Sequence, residues 1–311
     1  MYLQGVEEIM NDRAKHKIPL EKQLFHELHR KNINNPSIKE FKESWAFANA
    51  VRSYFNRGDF DVVIDVAGGH GCLAALMLVL TSAKRAVVID PAEVGKNGVS
   101  RAWGDFYKGK NLVFRHECLR TGLREELDQT LNGMNVSAGR VIVLACHACQ
   151  HLSDETLEIS CEYGVHAAVM PCCQKDLDGS TWKSASKRLD IHFPSVMDIL
   201  MAGKVMAWDS GKAAGVSYQV RMKSIDEKIT PQNRIILCKA SSRDDSSLSR
   251  KNKAKMEQHE RLQRAYGKAH SKPTKRKKLD FSQQGFSLHS AMIGFVAGAL
   301  LANFALIRTK R

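Results

Sequence analysis

Residues 63–71 read VIDVAGGHG, so a run of apolar, mostly β-branched residues leads directly into a glycine-rich turn. The run predicts a buried strand, and the apolar stretch CLAALMLVL (72–80) after the turn predicts a helix. Glycines at such a junction let the backbone approach a ligand, and the first turn of the helix offers free N–H groups. The sequence therefore predicts a ligand-binding turn between a strand and a helix.

The alternation of strands and helices continues on both sides of this turn. A helix is predicted over 37–55, with Ser37 as its N-cap and apolar residues at helical spacing from Ile38 to Phe55. Helices are also predicted over 123–131 and 153–163. The apolar strands are AVVID (86–90), LVFRH (112–116), RVIVLAC (140–146) and VHAAVM (165–170), and a final antiparallel hairpin is formed by 216–225 and 234–240. This pattern indicates an α/β fold with a mostly parallel sheet covered on both faces.

Two aspartates accompany the glycine turn, which lacks the third glycine of the G-x-G-x-x-G dinucleotide fingerprint. Asp65 favours S-adenosylmethionine, because the charged amino-acid end of that molecule needs an acidic or carbonyl-rich partner. Asp90 ends the next strand, where an acidic residue can bind ribose hydroxyls. The alternative is a tight turn whose aspartates only cap backbone groups. The residues assigned to the cofactor are Asp65, Ala67, Gly68, Gly69, Gly71, Asp90 and Cys146.

Short motifs further along the chain are more specific than the turn. His147-Ala148-Cys149, Ser153-Asp154 and Pro171-Cys172-Cys173-Gln174-Lys175 occur in this order, and Thr230-Pro231-Gln232-Asn233 lies between the last two strands. They resemble the HAC…(T/S)D…PCCQ pattern and the TPxN element of a methyltransferase-domain family found in bacteria and algae. That family is related to the acceptor-stem tRNA 2′-O-methyltransferases. The resemblance covers roughly residues 36–240, and it departs at Gln150, where many relatives have Asp.

This resemblance implies a Rossmann-like class I methyltransferase fold with a seven-stranded sheet, S-adenosylmethionine as cofactor and RNA as substrate. HAC and PCCQ follow the fourth and fifth strands, and ligands bind at this carboxyl edge of an open α/β sheet. His147 is expected to act as the base or to orient the acceptor. Asp154 either orients His147 or caps the following helix. Cys149, Pro171, Cys172, Cys173 and Gln174 are assigned to substrate binding.

The eight cysteines allow two interpretations. Cys146, Cys149, Cys172 and Cys173 together offer four thiolates for zinc, but the paired CxxC knuckles of such sites are absent. We expect instead small, polarisable residues that line the pocket, with no metal. Because residues 1–20 contain no apolar secretory segment, we expect reduced thiols and an intracellular protein.

The positive charge is concentrated at the carboxyl end of the chain. Residues 1–240 carry 31 basic and 28 acidic side chains, whereas residues 241–311 carry 16 and 5. Residues 241–287 are predicted to be a disordered basic linker; a nucleic-acid arm and a surface for anionic lipid are the alternatives.

The two ends of the chain are assigned separately. Residues 288–311 contain 17 uncharged residues, Ala291 to Ile307, and are predicted to form a helix that anchors the protein in a membrane. A helix docked on the catalytic domain is the alternative. Residues 1–35 are predicted to be a helical extension.

Three functions compete at this level. The leading hypothesis is an S-adenosylmethionine-dependent methyltransferase that acts on RNA, specifically on the tRNA ribose 2′-hydroxyl that the resemblance implies. The second is methylation of a protein or a small molecule, since one scaffold hosts many acceptors. The third is a membrane-tethered adaptor that binds S-adenosylmethionine without catalysis.

Overall fold

Strands and helices alternate along the chain as the apolar runs predict. A computed structural model describes residues 18–56, 58–93, 98–148, 151–172, 181–208 and 215–242. The strands are β1 Val62–Val66, β2 Arg85–Ile89, β3 Asn111–Arg115, β4 Val141–Cys146, β5 His166–Met170, β6 Val216–Ser224 and β7 Arg234–Ser242. The helices are α1 Leu20–Arg30, α2 Ile38–Tyr54, α3 Cys72–Leu80, α4 Gly98–Trp103, α5 Leu119–Asp128, α6 His151–Tyr163, α7 Thr181–Leu189 and α8 Phe193–Met206.

The strands form one seven-stranded sheet in the order β3-β2-β1-β4-β5-β7-β6. The first five are parallel, and β7 is antiparallel to both β5 and β6. This confirms the predicted Rossmann-like, mostly parallel sheet with a terminal hairpin. The strand order reverses between β1 and β4, and in open α/β sheets a ligand binds beside the carboxyl ends of the strands at such a reversal.

The core lies on both faces of the sheet. Val63 and Ile142 pack on one face, whereas their neighbours Ile64 and Val143 pack on the other, and all four side chains are buried. Both faces are covered, so the central strands are apolar at nearly every position instead of alternating with polar residues; Asp65 in β1 and His166 in β5 are the buried polar exceptions. Because the apolar side chains must be buried, the pairing register of the strands is fixed, and their carboxyl ends lie side by side at one edge of the sheet.

Helix α2 begins where its sequence predicts. The Ser37 side chain accepts a hydrogen bond from the Glu40 N–H, and the Glu40 carboxylate accepts one from the Ser37 N–H, which is a complete capping box. The predicted apolar stripe is wrong at its first residue, because Ile38 is 55% exposed. Burial extends instead to the face that carries Glu43 and Phe47.

The amino-terminal helix α1 packs on the core through Trp103. The indole Nε1–H of this buried side chain donates to the Leu24 carbonyl at 2.8 Å, and the Trp103 ring meets Phe41 edge to face. Residues 20–30, which the sequence assigns to an extension, therefore share the core of the sheet domain.

Several elements differ from the sequence-based expectation. Helix α5 begins at Leu119, four residues before the predicted start, and ends in a π-helical turn over Gln129–Gly133. Helices α4, α7 and α8 have no counterpart in the sequence prediction. Strand β7 ends at Ser242, so the strand includes the first two residues of the predicted linker.

The predicted carboxyl-terminal segments lie outside the described residues, as do residues 1–17 of the predicted extension. This applies to the remainder of the linker 241–287 and to the apolar helix 288–311. Across the described ranges, no helix is long and apolar enough to cross a membrane.

His166 ties three parts of the fold together as a neutral imidazole. Its Nδ1 accepts from the Ala240 N–H at 3.0 Å, and its Nε2 lies 3.1 Å from the Gly139 carbonyl. With the proton on Nε2, both contacts are hydrogen bonds. Burial lowers the pKa of His166 to about 4.

We predict that His166 makes stability fall on acidification. The unfolded state binds the proton first, so this contribution is present above the unfolded pKa of about 6.5 and is lost as the pH falls towards 4. Between pH 7 and pH 5 the loss is about 2 kcal/mol. Urea unfolding at pH 7 and at pH 5 measures this loss of stability. His166→Asn retains an acceptor for the Ala240 N–H and is expected to reduce the difference in stability between the two pH values. An equal pH dependence in both proteins would contradict this assignment.

Candidate functional site

The glycine turn after β1 is built from left-handed backbone conformations. The φ angles of Ala67, Gly69 and Gly71 are 54°, 51° and 75°. Such angles are unfavourable for alanine, and the Ala67 N–H is held by a 2.8 Å hydrogen bond to the Ile89 carbonyl. A strained non-glycine residue that neighbouring strands hold in place is typical of a functional turn.

Asp65 lies beneath this turn near the end of β1. Its carboxylate is 1% exposed and accepts a hydrogen bond from the Ala74 N–H in α3 at 3.1 Å. Burial raises the pKa of Asp65 to about 7, and the negative charge of Asp90 adds to the effect. A Cβ atom on Gly68 would lie 2.6 Å from Oδ2 of Asp65, so the carboxylate explains why glycine occupies that position.

Asp90 follows β2 and contacts the same turn from above. Its Oδ2 accepts from the Gly69 N–H at 3.0 Å, and its Oδ1 accepts from the Ala92 N–H at 2.8 Å. The side chain is partly exposed. A carboxylate offers about four acceptor positions, so Asp90 can still bind two neighbouring hydroxyl groups.

His147 follows β4 in a left-handed conformation with a φ of 61°. Its N–H donates to the Met170 carbonyl at 3.1 Å, and its own carbonyl oxygen lies 3.5 Å from Sγ of Cys172. The side chain is 30% exposed. The ends of β4 and β5 thus hold the histidine at the predicted edge, where its ring is accessible.

Glu43 is the partner of His147 that the sequence analysis missed. It lies on α2, is 3% exposed and places Oε2 at 3.0 Å from Nε2 of His147. The apolar stripe predicted for α2 leaves Glu43 on another face. A signal was nevertheless present, because Glu43, Phe47 and Ala50 are spaced i, i+4, i+7 and form a second face of the helix.

A second acid and histidine lie beside this pair. Nε2 of His70, within the glycine turn, is 3.8 Å from the Glu40 carboxylate, and its Nδ1 accepts from the Cys72 N–H at 3.3 Å. Burial lowers the pKa of His70, which favours the neutral ring. Helix α2 therefore presents two glutamates to two histidines at the same edge.

Asp154 lies apart from this cluster. It is in the first turn of α6, not at its N-cap, and its carboxylate accepts from Lys204 Nζ on α8 at 2.9 Å. The described contacts of Asp154 include Lys204 but not His147. Among the described residues, the carboxylate that contacts the His147 ring belongs to Glu43.

Cys146 lies between the acidic groups at the end of β4. Burial raises the pKa of its thiol well above the ordinary range, and the charges of Asp65 and Glu43 add to this effect. It is consequently a neutral thiol at physiological pH. No group of three or more His, Cys, Asp or Glu within the described ranges could hold a metal ion.

The residues assigned to substrate binding are only partly described. Pro171 is buried after β5, and Cys172 is disulfide-bonded, which differs from the expectation of reduced thiols. The free cysteines of the described residues are Cys72, Cys118, Cys146, Cys161 and Cys238. Cys149, Gln150, Cys173, Gln174 and Lys175 lie outside the described residues.

The TPxN element closes the turn between β6 and β7. The Asn233 side-chain amide donates to the Ile225 carbonyl at 2.8 Å, and the Ile225 N–H donates to the Asn233 carbonyl at 2.9 Å. Thr230 is buried. The contacts of this element stabilise the hairpin.

The geometry of this edge fits S-adenosylmethionine on three grounds. The turn carries no side chain at Gly68 or Gly71, where a Cβ would collide with neighbouring side chains, so a ligand can approach its backbone closely. Asp90 has acceptor positions available for ribose hydroxyls. The Glu43 carboxylate, together with Asp65 in its ionised form, provides a negative potential that suits a cationic ligand.

We predict that Gly68→Ala destabilises the protein by about 2 kcal/mol, because the new methyl group must displace the Asp65 carboxylate. Gly104→Ala is the matched control, since a Cβ there meets no atom within 4 Å. Chemical unfolding of the two variants measures the difference. Equal stability would refute the close fit at Gly68.

We predict that Asp65→Asn becomes more stabilising, relative to the unsubstituted protein, as the pH rises. The folded pKa of Asp65 lies above its unfolded value, so its stabilising contribution is present at acid pH and is lost as the pH rises through about 7. From pH 5 to pH 8 the free energy of unfolding of the variant, relative to that of the unsubstituted protein, should grow by about 3 kcal/mol. A difference that is constant with pH in urea unfolding would contradict the buried carboxylate.

Comparisons with known proteins were made by sequence and by structure. No family model matches the sequence, and no curated protein matches it. Three solved structures are similar over about 70% of this chain. An rRNA methylase from Streptococcus thermophilus is 14% identical, with a TM-score of 0.34, and the match covers 67% of this chain and 98% of that one.

The other two structures are similar at the same level. An O-methyltransferase family protein from Burkholderia thailandensis is 16% identical, with a TM-score of 0.37, over 71% of this chain and 63% of that one. Magnesium protoporphyrin IX methyltransferase from Synechocystis PCC 6803, with bound SAH, is 13% identical, with a TM-score of 0.37. The match covers 70% of this chain and 94% of that one.

Proposed function

We propose that this chain is an S-adenosylmethionine-dependent methyltransferase that acts on RNA, with the ribose 2′-hydroxyl of tRNA as the acceptor. The observation that carries the proposal is the meeting of three features at one sheet edge. These are the left-handed turn at 67–71, the Asp90 carboxylate and the partly exposed His147 ring. They lie where the strand order reverses, which is the ligand-binding position of open α/β sheets.

The cofactor would be held by the turn and the two aspartates. Asp90 would bind the ribose hydroxyls, and Gly68, Gly69 and Gly71 would admit the amino-acid end close to the backbone. Asp65 would support the turn and supply negative charge from below. When bound, S-adenosylmethionine supplies a methyl group that leaves its sulfur without the bonding electrons.

His147 would perform the proton transfer. A hydroxyl acceptor is a poor nucleophile until its proton is removed, and a positioned imidazole is the side chain that most often does this. The ring is 30% exposed and lies between the ends of β4 and β5, so an acceptor can reach it from solvent. Pro171 and Cys172, with Cys149, Cys173 and Gln174, are proposed to line the acceptor side.

RNA is proposed as the substrate because of the HAC and PCCQ motifs, not because of charge. The motifs resemble those of a family related to the tRNA 2′-O-methyltransferases. The +11 balance of residues 241–311 is compatible with binding to phosphates, whereas residues 1–240 carry only +3.

We predict that the full chain binds S-adenosylmethionine and that Asp90→Asn weakens this binding at least about tenfold, because a bidentate charged acceptor for the ribose is lost. Isothermal calorimetry measures both dissociation constants. Asp105→Asn, at an exposed aspartate, is the matched control and should bind normally. Absence of binding in the unsubstituted chain would overturn the proposal.

Incubation with S-adenosylmethionine labelled in its methyl group distinguishes the acceptors. Total RNA, total protein and a small-molecule extract are offered separately, and we expect label in RNA, at nucleotides whose ribose resists alkaline hydrolysis. His147→Asn should lose transfer and keep cofactor binding. Label only in protein or in small molecules would refute the RNA assignment, and binding without any transfer would favour the non-catalytic adaptor.

A further inference from the structure

The imidazole of His147 is held from three directions. Its N–H donates to the Met170 carbonyl, its carbonyl oxygen contacts Sγ of Cys172, and its ring meets the Glu43 carboxylate. The left-handed φ of 61° costs free energy in a histidine and persists only if these contacts maintain it. The ring orientation is therefore set by this chain before any substrate binds.

The Glu43 carboxylate is buried without being neutralised by an arginine. Its Oε1 makes no hydrogen bond within the described chain, and its only cation there is Lys39 Nζ at 3.7 Å, on a side chain that is 65% exposed. Burying a carboxylate costs several kcal/mol unless it is paired. The cost at Glu43 is not explained by packing, because an apolar residue would fill the same space without it.

The contact between Glu43 and His147 selects one ring nitrogen. A carboxylate accepts and does not donate, so at 3.0 Å it favours the imidazole that carries its proton on Nε2. The two atoms are not yet aligned as a hydrogen bond, as is common before a catalytic site has bound its ligands. Among the described residues, none hydrogen-bonds to Nδ1 of His147, which leaves that lone pair available.

We propose that Glu43 is the positioning residue for His147: it holds the proton on Nε2, so that Nδ1 receives the proton of the acceptor hydroxyl. This inference rests on the proposed methyl transfer. The proton passes from the hydroxyl oxygen to Nδ1, the oxygen gains a bond to the methyl carbon, and the carbon–sulfur bonding electrons return to sulfur. The imidazolium that forms is stabilised by the negative charge of Glu43 at the opposite nitrogen.

Other titratable groups around the ring are weaker candidates for this role. Glu40, on the same helix, acts on His147 only through its charge and makes its closer approach to His70. Cys146, the preceding residue, is a neutral thiol. Cys172 contacts the His147 carbonyl and not the ring. Glu43 is the acid of this group that touches the imidazole.

The first test is a histidine titration by ¹H–¹⁵N NMR on the full chain, with His147→Asn used to assign the signal. We expect the midpoint of the His147 titration to fall by at least about one pH unit in Glu43→Gln, because the charge that favours the imidazolium is removed. The matched control is Glu40→Gln, which removes the same charge from the same helix and should produce a smaller change. An unchanged midpoint in Glu43→Gln, or an equal change in both variants, would overturn the proposal.

A second variant covers the case in which Glu43→Gln does not fold, which circular dichroism reveals. Glu43→Asp keeps the charge and withdraws it by one methylene, so the midpoint should fall by a smaller amount. No change in Glu43→Asp would then overturn the proposal.

The second test is kinetic. In Glu43→Gln, kcat for methyl transfer should fall about 10- to 100-fold, with little change in KM for either substrate. The acidic limb of its pH profile should move to lower pH. A loss confined to KM would overturn the positioning role. If the unsubstituted chain transfers no methyl group, the proposed function fails, whereas the titration still decides whether Glu43 controls His147.

Discussion

The candidate site depends on the fit between the buried Asp65 carboxylate and the glycine turn above it. The carboxylate leaves no space for a side chain at position 68 and fixes the first turn of α3 through the Ala74 N–H. Ala67 and Gly69 in this turn adopt left-handed conformations, and their N–H groups donate to the Ile89 carbonyl and to the Asp90 carboxylate. The position of Asp90 follows, since its carboxylate is hydrogen-bonded to that turn.

Parallel strands gather distant residues at this edge. Asp65, Asp90 and His147 follow three different strands, yet register places the ends of β1, β2 and β4 side by side. Helix α2 adds Glu43 from the side. The three carboxylates differ in their surroundings. Asp65 is fully buried, Glu43 is buried against an imidazole, and Asp90 is partly exposed to solvent. Their environments suit them to three tasks, namely support, proton control and ligand binding.

The sheet could be predicted from the sequence because its strands are apolar on both faces and end in recognisable turns. The glycine turn and the strand-end positions of Asp90 and His147 follow from the same pattern. The spacing of Glu43, Phe47 and Ala50 indicates a second buried face of α2, but not that this face meets His147, because that contact is set by the packing of α2 against α3. Helix α8 is apolar on most of its sides, so its sequence shows little helical periodicity. Helix α7 is amphipathic, so its pattern was present in the sequence although no helix was assigned there.

A comparison with Glu126 shows that stability alone does not explain the acids at the candidate site. Glu126 is as deeply buried as Asp65, but its two oxygens lie 3.0 Å from Arg85 and 3.2 Å from Arg115. Asp65 has one backbone N–H, and Glu43 has a histidine and a distant lysine. The fold thus pairs a structural acid with arginines. At the carboxyl edge it instead keeps acids whose charge is only partly balanced by the protein, as expected where a cationic ligand or a developing imidazolium completes the pairing.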